Sequence, residues 1–214
     1  MIKDHSRKYW IGASDTKFVM ADNRSTKTWN TWWNTKIGIE DSLFSGNMYT
    51  MMGNVFEHPI LLAINENMNL DRQLKVPKYN LRVNYDGDFD GTIYEVKTHR
   101  ADREIDYSRG SVYYRQCQVE MFCWKLYLKD SAMYQDYHTR EHIPELKGLT
   151  LVEYPLNVDE YNKLEAYLRG DLEPVIDPDR IALHTIKYDR GFISAYKPKL
   201  KRIAKCIREG KIPW

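Results

Sequence analysis

The 214-residue chain has no apolar run of membrane-spanning length, and no apolar stretch follows its N-terminus, MIKDHSRKYW, as a secretory signal would require. This reads as a cytosolic protein with no membrane partner. Cysteine is scarce: Cys117, Cys123 and Cys206 are odd in number and have neither disulfide nor zinc spacing, which points to free thiols in a reducing compartment. Three scattered cysteines also cannot supply the four ligands of an iron–sulfur cluster. Neither sign of charge prevails. A net charge of +2 gives no global basic field, so a polyanionic partner must be met by local patches. No internal repeat or low-complexity linker interrupts the chain, and residues 1–214 read as one domain.

What is present is an ordinary globular composition, 43% hydrophobic and 29% charged, with six Trp and sixteen Tyr. Residues 7–20 read as a loop entering a helix that Ser14 or Asp15 caps. Trp29, Trp32 and Trp33 share one face of a helix ending near Gly38 and Ile39, a core-packing pattern. Tyr49, Met52, Phe56, Ile60 and Ala63 recur at helical spacing, with Glu57 one step off the stripe and Pro59 predicting a kink or a break between two shorter helices. A glutamate in that position is ordinarily a solvated edge residue. Residues 71–84 are extended.

Ser111 opens a long helix whose stripe is Val112, Val119, Cys123 and Leu126. Gln116 lies on the same stripe, and an amide on a core face must reach a polar cluster. His138 and His142 have a zinc-compatible spacing but no accompanying ligands. Residues 149–154 read as a strand, Asn157 and Glu160 as a capping box, and Pro198 to Glu209 as a final helix. Seven basic residues from Lys197 to Lys211 crowd that helix, a solvated face or a DNA-backbone contact.

The chemistry concentrates in residues 85–98, YDGDFDGTIYEVKT. Alternation on a strand puts Glu95 and Lys97 on one face with Ile93, and Tyr94 and Val96 on the other. A two-residue turn at Asp90-Gly91 sets a hairpin register that pairs Asp86 with Glu95 and Asn84 with Lys97. Asp86, Glu95 and the Val96 carbonyl then offer three oxygens to Mg²⁺, which takes oxygen ligands, and a fourth acid could complete the set. Lys97 beside them would orient or deprotonate a water, or stabilise developing charge. Asp88 and Asp90 are further acids near the turn, and Asp88 is an alternative to Asp86. A surface hairpin of solvated charges remains open on these residues alone.

Asp86-Gly87 followed by Glu95-Val96-Lys97 resembles the active-site hairpin of the PD-(D/E)xK nucleases. Gly53 to Glu57 resembles the G-x-x-x-E helix of the lambda-exonuclease, or YqaJ-type, viral recombination branch. Tyr113, Gln116, Gln118 and Met121 resemble its Y-x-x-Q-x-Q-x-x-M helix, and Ile11 to Ser14 with Arg7 its I-G-A/G-S segment and arginine. The motifs run in order over residues 7–121, a little over half the chain.

The resemblance implies an α/β fold with a restriction-endonuclease-like core, a central mixed β-sheet flanked by helices. It implies Glu57, Asp86 and Glu95 as metal-binding acids, Lys97 as the catalytic lysine and Gln116 as the residue completing the site. Arg7 and Ser14 would hold a DNA 5′-phosphate. It further implies a Mg²⁺-dependent exonuclease, with Mn²⁺ able to substitute, degrading double-stranded DNA from 5′ ends and leaving 3′ strands for a single-strand annealing protein. A homotrimeric ring in a bacteriophage or prophage setting belongs to the same expectation, with the tryptophan run and the basic last helix as candidate interface and channel lining. A RecB-like nuclease or endonuclease with the same core, and a non-catalytic DNA-end scaffold, are the alternatives. The chain departs from the family at Thr98-His99, where Cys-Pro is usual, and at Tyr85.

Overall fold

The computed structural model describes residues 8–41, 47–133 (backbone alone over 130–133) and 143–212. Arg7, His138 and His142 lie outside the described residues. Five strands form one sheet in the order β1 (Asn69–Val76), β2 (Leu81–Phe89), β3 (Thr92–Arg100), β4 (Gly148–Leu156) and β5 (Ala182–Ile186). β3 and β4 run parallel and the other pairs antiparallel, so the sheet is mixed. A parallel pair needs a long crossover, which the 22-residue helix between β3 and β4 supplies.

Of the helices, α1 (Thr16–Val19) follows the Ala13–Asp15 turn, and α2 (Lys27–Ile37) starts at Thr26, whose hydroxyl accepts from the Trp29 N–H. α3 (Met48–Ile64) starts at Asn47, which accepts from Thr50, and runs unbroken through Pro59; the expected break there does not occur. The long crossover helix is α4 (Val112–Met133). α5 (Val158–Asn162) has the expected Asn157/Glu160 capping box, and α6 (Leu164–Arg169) ends at left-handed Gly170. α7 (Arg190–Glu209) begins eight residues before the predicted Pro198, because Asp189 caps it by accepting from Phe192. Among the described residues no helix is long and apolar enough to cross a membrane.

The helices cover both faces of the sheet. Phe56, Ile60 and Leu61 of α3 pack with Val96, Val152, Tyr154 and Leu164. On the opposite face, Val119, Met121 and Trp124 of α4 and Leu200 and Ile203 of α7 pack with Val83, Ile93 and Leu151. Trp29, Trp32 and Trp33 are buried in this second cluster, Trp29 stacked on Trp33 at 5.5 Å. Their burial corrects their candidacy as a surface for joining subunits. Val112 was expected in the α4 stripe and is exposed.

The β2–β3 turn depends on Gly91, at φ +78°, where an added Cβ would lie 2.2 Å from the Glu145 carbonyl oxygen. Both left-handed strain and a backbone clash oppose a side chain there. Gly91→Ala is therefore expected to cost upwards of about 2 kcal/mol, lowering the thermal midpoint by roughly 4 °C or more. A midpoint unchanged in thermal unfolding would overturn this.

Candidate active site

The site lies where β2 and β3 separate. From the turn inward the strands pair at Phe89↔Thr92, Asp88↔Ile93 and Gly87↔Tyr94, in the predicted register. The recorded pairing stops there, so the expected Asp86–Glu95 and Asn84–Lys97 pairs are absent from the ladder. Instead the Asp86 carboxylate accepts the Val96 N–H at 2.7 Å, doing the work of a backbone acceptor.

The fork has a cause in the neighbouring pair. In the β1–β2 register, Leu70 faces Gly87 and Arg72 faces Tyr85, which sets Asp71 opposite Asp86. Asp71 has φ +57°. On the Gly87 side of this point Leu70 packs on the α3 cluster, and beyond it Leu74, Val83 and Tyr85 pack on the α4 cluster. The strand pair thus turns from one face to the other at Asp71 and Asp86. Gly87 permits it, since a Cβ there would be 3.0 Å from Leu61 and Met68.

Side chains from both helical layers enter the fork. Lys97 Nζ lies 2.5 Å from Glu95 Oε1 and 5.4 Å from the Tyr113 ring centre. Gln116 on α4 donates from Nε2 to Glu95 at 2.5 Å and to Glu120 at 2.9 Å, the polar cluster its position demanded. Glu57 enters from α3. It shares a cleft of about 300 Å³ with Asp86, Val96, Lys97, Tyr49 and Tyr113.

Electrostatics are strained in one direction. Burial, then Glu95, raises the Glu57 carboxyl from 4.5 to about 7, with Asp71 adding and His58 and Lys97 opposing. Burial and the neighbouring carboxylates also push Asp86 and Glu120 well above the carboxylate range. Burial alone would lower Lys97, but Glu95 and Asp86 outweigh it and hold the ammonium raised. A lysine held protonated can stabilise negative charge but cannot accept a proton.

The acids fit a divalent ion. Glu95 Oε2 is buried and lacks a hydrogen-bond partner, an orphaned acceptor that a cation would satisfy. Asp86, Glu57 and Val96 line the cleft and Glu95 adjoins it through Lys97, so together they would offer an all-oxygen donor set of the kind Mg²⁺ takes. Asp88, the alternative aspartate, is instead buried and paired with Arg72 at 2.8 Å. Asp90 is exposed and tied to Lys147.

Glu120 is the acid that sequence reasoning missed. It is fully buried, and its only sequence signal is the four-residue spacing from Gln116 on α4. Gln118 of the same motif serves the fold: it donates to the Lys187 carbonyl and accepts from Asp189, fixing the start of α7.

Ser14 lines a separate cavity of about 150 Å³ with Asp15, Lys36, Arg82, Asn84, Gln116 and Glu120. Its loop is braced from within. Asp15 accepts from the Gly12 N–H and pairs with buried Lys36 at 2.7 Å, and Lys36 also donates to the Trp10 carbonyl. Ile11 bridges to Leu81 of β2, which brings the loop against the sheet.

No protein-family model and no curated protein matches the sequence. Solved structures do match. An alkaline exonuclease (LHK-Exo) from Laribacter hongkongensis aligns with a TM-score of 0.62 at 12% identity, covering 95% of this chain and 90% of that one. The chain shares that protein's fold. LHK-Exo in complex with dAMP gives 0.61 at 14%, covering 94% and 89%. A phage-related exonuclease from Haemophilus somnus 129PT gives 0.54 at 13%, covering 94% of each chain. The likeness spans nearly the whole length, and the mixed sheet flanked by helices is the architecture the motifs imply.

Proposed function

We propose that the protein is a Mg²⁺-dependent deoxyribonuclease of the lambda-exonuclease/YqaJ branch, a 5′–3′ exonuclease acting on duplex ends. The observation that carries this reading is the forked hairpin, where Asp86, Lys97 and Glu57 line one cleft and the buried Glu95 bonds both Lys97 and Gln116 beside it. A divalent ion held by Asp86, Glu95, the Val96 carbonyl and Glu57 would supply Lewis-acid polarisation of the phosphodiester. Lys97 presents a buried ammonium to charge developing at phosphorus. Gln116 fixes the Glu95 carboxylate, and Asp86 holds the fork open through Val96.

In this reading Ser14 and Arg7 receive the 5′-phosphate, Ser14 from the cavity that Gln116 also lines. The product is a 3′ single strand for an annealing protein in a phage or prophage recombination system, in the bacterial cytoplasm. Residues 1–214 act as a single domain, and Mn²⁺ can replace Mg²⁺. Three copies close into a ring that replaces electrostatic grip by topology.

The test uses Mg²⁺ with linear and nicked or intact circular duplexes carrying 5′-phosphate or 5′-hydroxyl ends. Linear DNA with a 5′-phosphate should be degraded fastest and intact circles spared. Arg7→Ala should erase the phosphate preference, by about tenfold or more, since a charge-assisted contact to phosphate is lost. Cleavage of intact circles would make the protein an endonuclease. A preference surviving Arg7→Ala would remove the phosphate role. Light scattering at three times the chain mass supports the ring, and a strict monomer removes it.

A further inference from the structure

A second cluster of metal-ligand type adjoins the fork. Glu57 and His58 are consecutive on α3, and Asp71 is the left-handed residue of β1 opposite Asp86. His58 Nε2 lies 3.2 Å from an Asp71 oxygen and 3.9 Å from a Glu57 oxygen. One ligand atom from each of the three lies within 4.8 Å of the others, the one such group among the described residues. We propose that Glu57, His58 and Asp71 hold a second divalent cation of the Mn²⁺ or Zn²⁺ class, outside the fork and sharing Glu57 with it.

Two independent arguments support the site. The first is ligand type: an imidazole with two carboxylates suits Mn²⁺ or Zn²⁺, whereas Mg²⁺ prefers oxygen alone. The second is charge. The carboxylates of Glu57, Asp71, Asp86, Glu95 and Glu120 crowd one ammonium, Lys97, while nearby Arg72 is engaged by Asp88. A divalent ion beside Glu57 and Asp71 offsets part of that negative charge.

Sharing Glu57 makes the two positions interdependent. A Zn²⁺ ion on His58 and Asp71 draws the Glu57 carboxylate away from the fork and weakens Mg²⁺ there. The site is thus a point of inhibition by a transition metal. The binding claim goes beyond the nuclease reading and stands without it; only the effect on cleavage rests on that reading.

The experiment titrates the full-length metal-free chain with Mn²⁺ alone, read by electron paramagnetic resonance and calorimetry. Wild type should show two binding events. His58→Asn and Asp71→Asn should each weaken one event by about tenfold or more and leave the other. Asparagine at 71 tolerates the left-handed backbone, so the fold is not confounded. Glu95→Gln should weaken the other event and spare the His58-dependent one. A His58→Asn protein that binds Mn²⁺ with wild-type number and affinity overturns the proposal, as does loss of every event in Glu95→Gln. In Mg²⁺-driven cleavage, added Zn²⁺ should slow wild type and not His58→Asn. If no DNA is cleaved at all, the nuclease reading fails while the two-event titration still decides the site.

Discussion

Lys97→Ala is expected to abolish measurable Mg²⁺-dependent DNA cleavage, with a rate loss of about 10² to 10³-fold or more. The ammonium is buried against Glu95 and within the field of Asp86, so it is pre-oriented where negative charge grows at phosphorus. Its removal does not empty a hydrophobic core position. It leaves carboxylates without a counter-ion, and these already favour protonation, so they take up protons rather than unfold the chain. Circular dichroism and a thermal midpoint well above the assay temperature would establish that the variant is folded. Glu95→Gln should be similarly inactive, for loss of a charged metal ligand. Robust cleavage by folded Lys97→Ala protein would place the chemistry elsewhere.

Which parts of this site were legible from residues alone follows from the range of the forces involved. The Asp90-Gly91 turn and the shared face of Glu95 and Lys97 are local, set by turn chemistry and strand alternation, and the register near the turn agrees with both. The fork is not local. It depends on a left-handed residue in β1, on Gly87 lying against Leu61 and Met68, and on a parallel partner, β4, drawn from some fifty residues downstream. Nothing in the 85–98 stretch encodes those partners, so the expected Asp86–Glu95 ladder pair became a side-chain bond to Val96.

Glu120 was invisible for a related reason. A buried acid on a core helix is disfavoured by default, and only the tertiary meeting with Gln116 and Glu95 gives it a place. β5 was missed because most of its residues are exposed or half-buried, leaving no alternation to read. The start of α7 was misplaced because Pro198 looks like a helix entry, whereas Asp189 supplies the cap and the helix runs through the proline. Gln116 shows the opposite case. An amide on an apolar stripe signals an unmet polar demand, and the structure meets it with two carboxylates.

The metal-free protein is expected to lose stability as pH rises from 5 to 8, and Mg²⁺ to restore it at pH 8 but not at pH 5. The sign comes from Glu57, whose carboxyl is raised from 4.5 to about 7, by burial first and Glu95 next. Between those values the folded chain holds a proton that the unfolded chain has released, so unfolding sheds a proton and stability falls with pH. The contribution is intact below about 4.5 and fully lost above about 7. Asp86 and Glu120 are displaced in the same direction, so their contributions add. The thermal midpoint should fall by something on the order of 5 °C or more across this range. Mg²⁺ binds only the deprotonated acids and stabilises the fold by mass action, so its effect appears where the protons have left. Cleavage should follow the same titration and rise with pH through about 7. Thermal scans from pH 5 to 8 in EDTA and in Mg²⁺ test both halves, and Glu57→Gln should flatten the metal-free slope. A metal-free midpoint independent of pH, or equal stabilisation by Mg²⁺ at pH 5 and pH 8, would show that these carboxyls are not the proton-linked metal ligands.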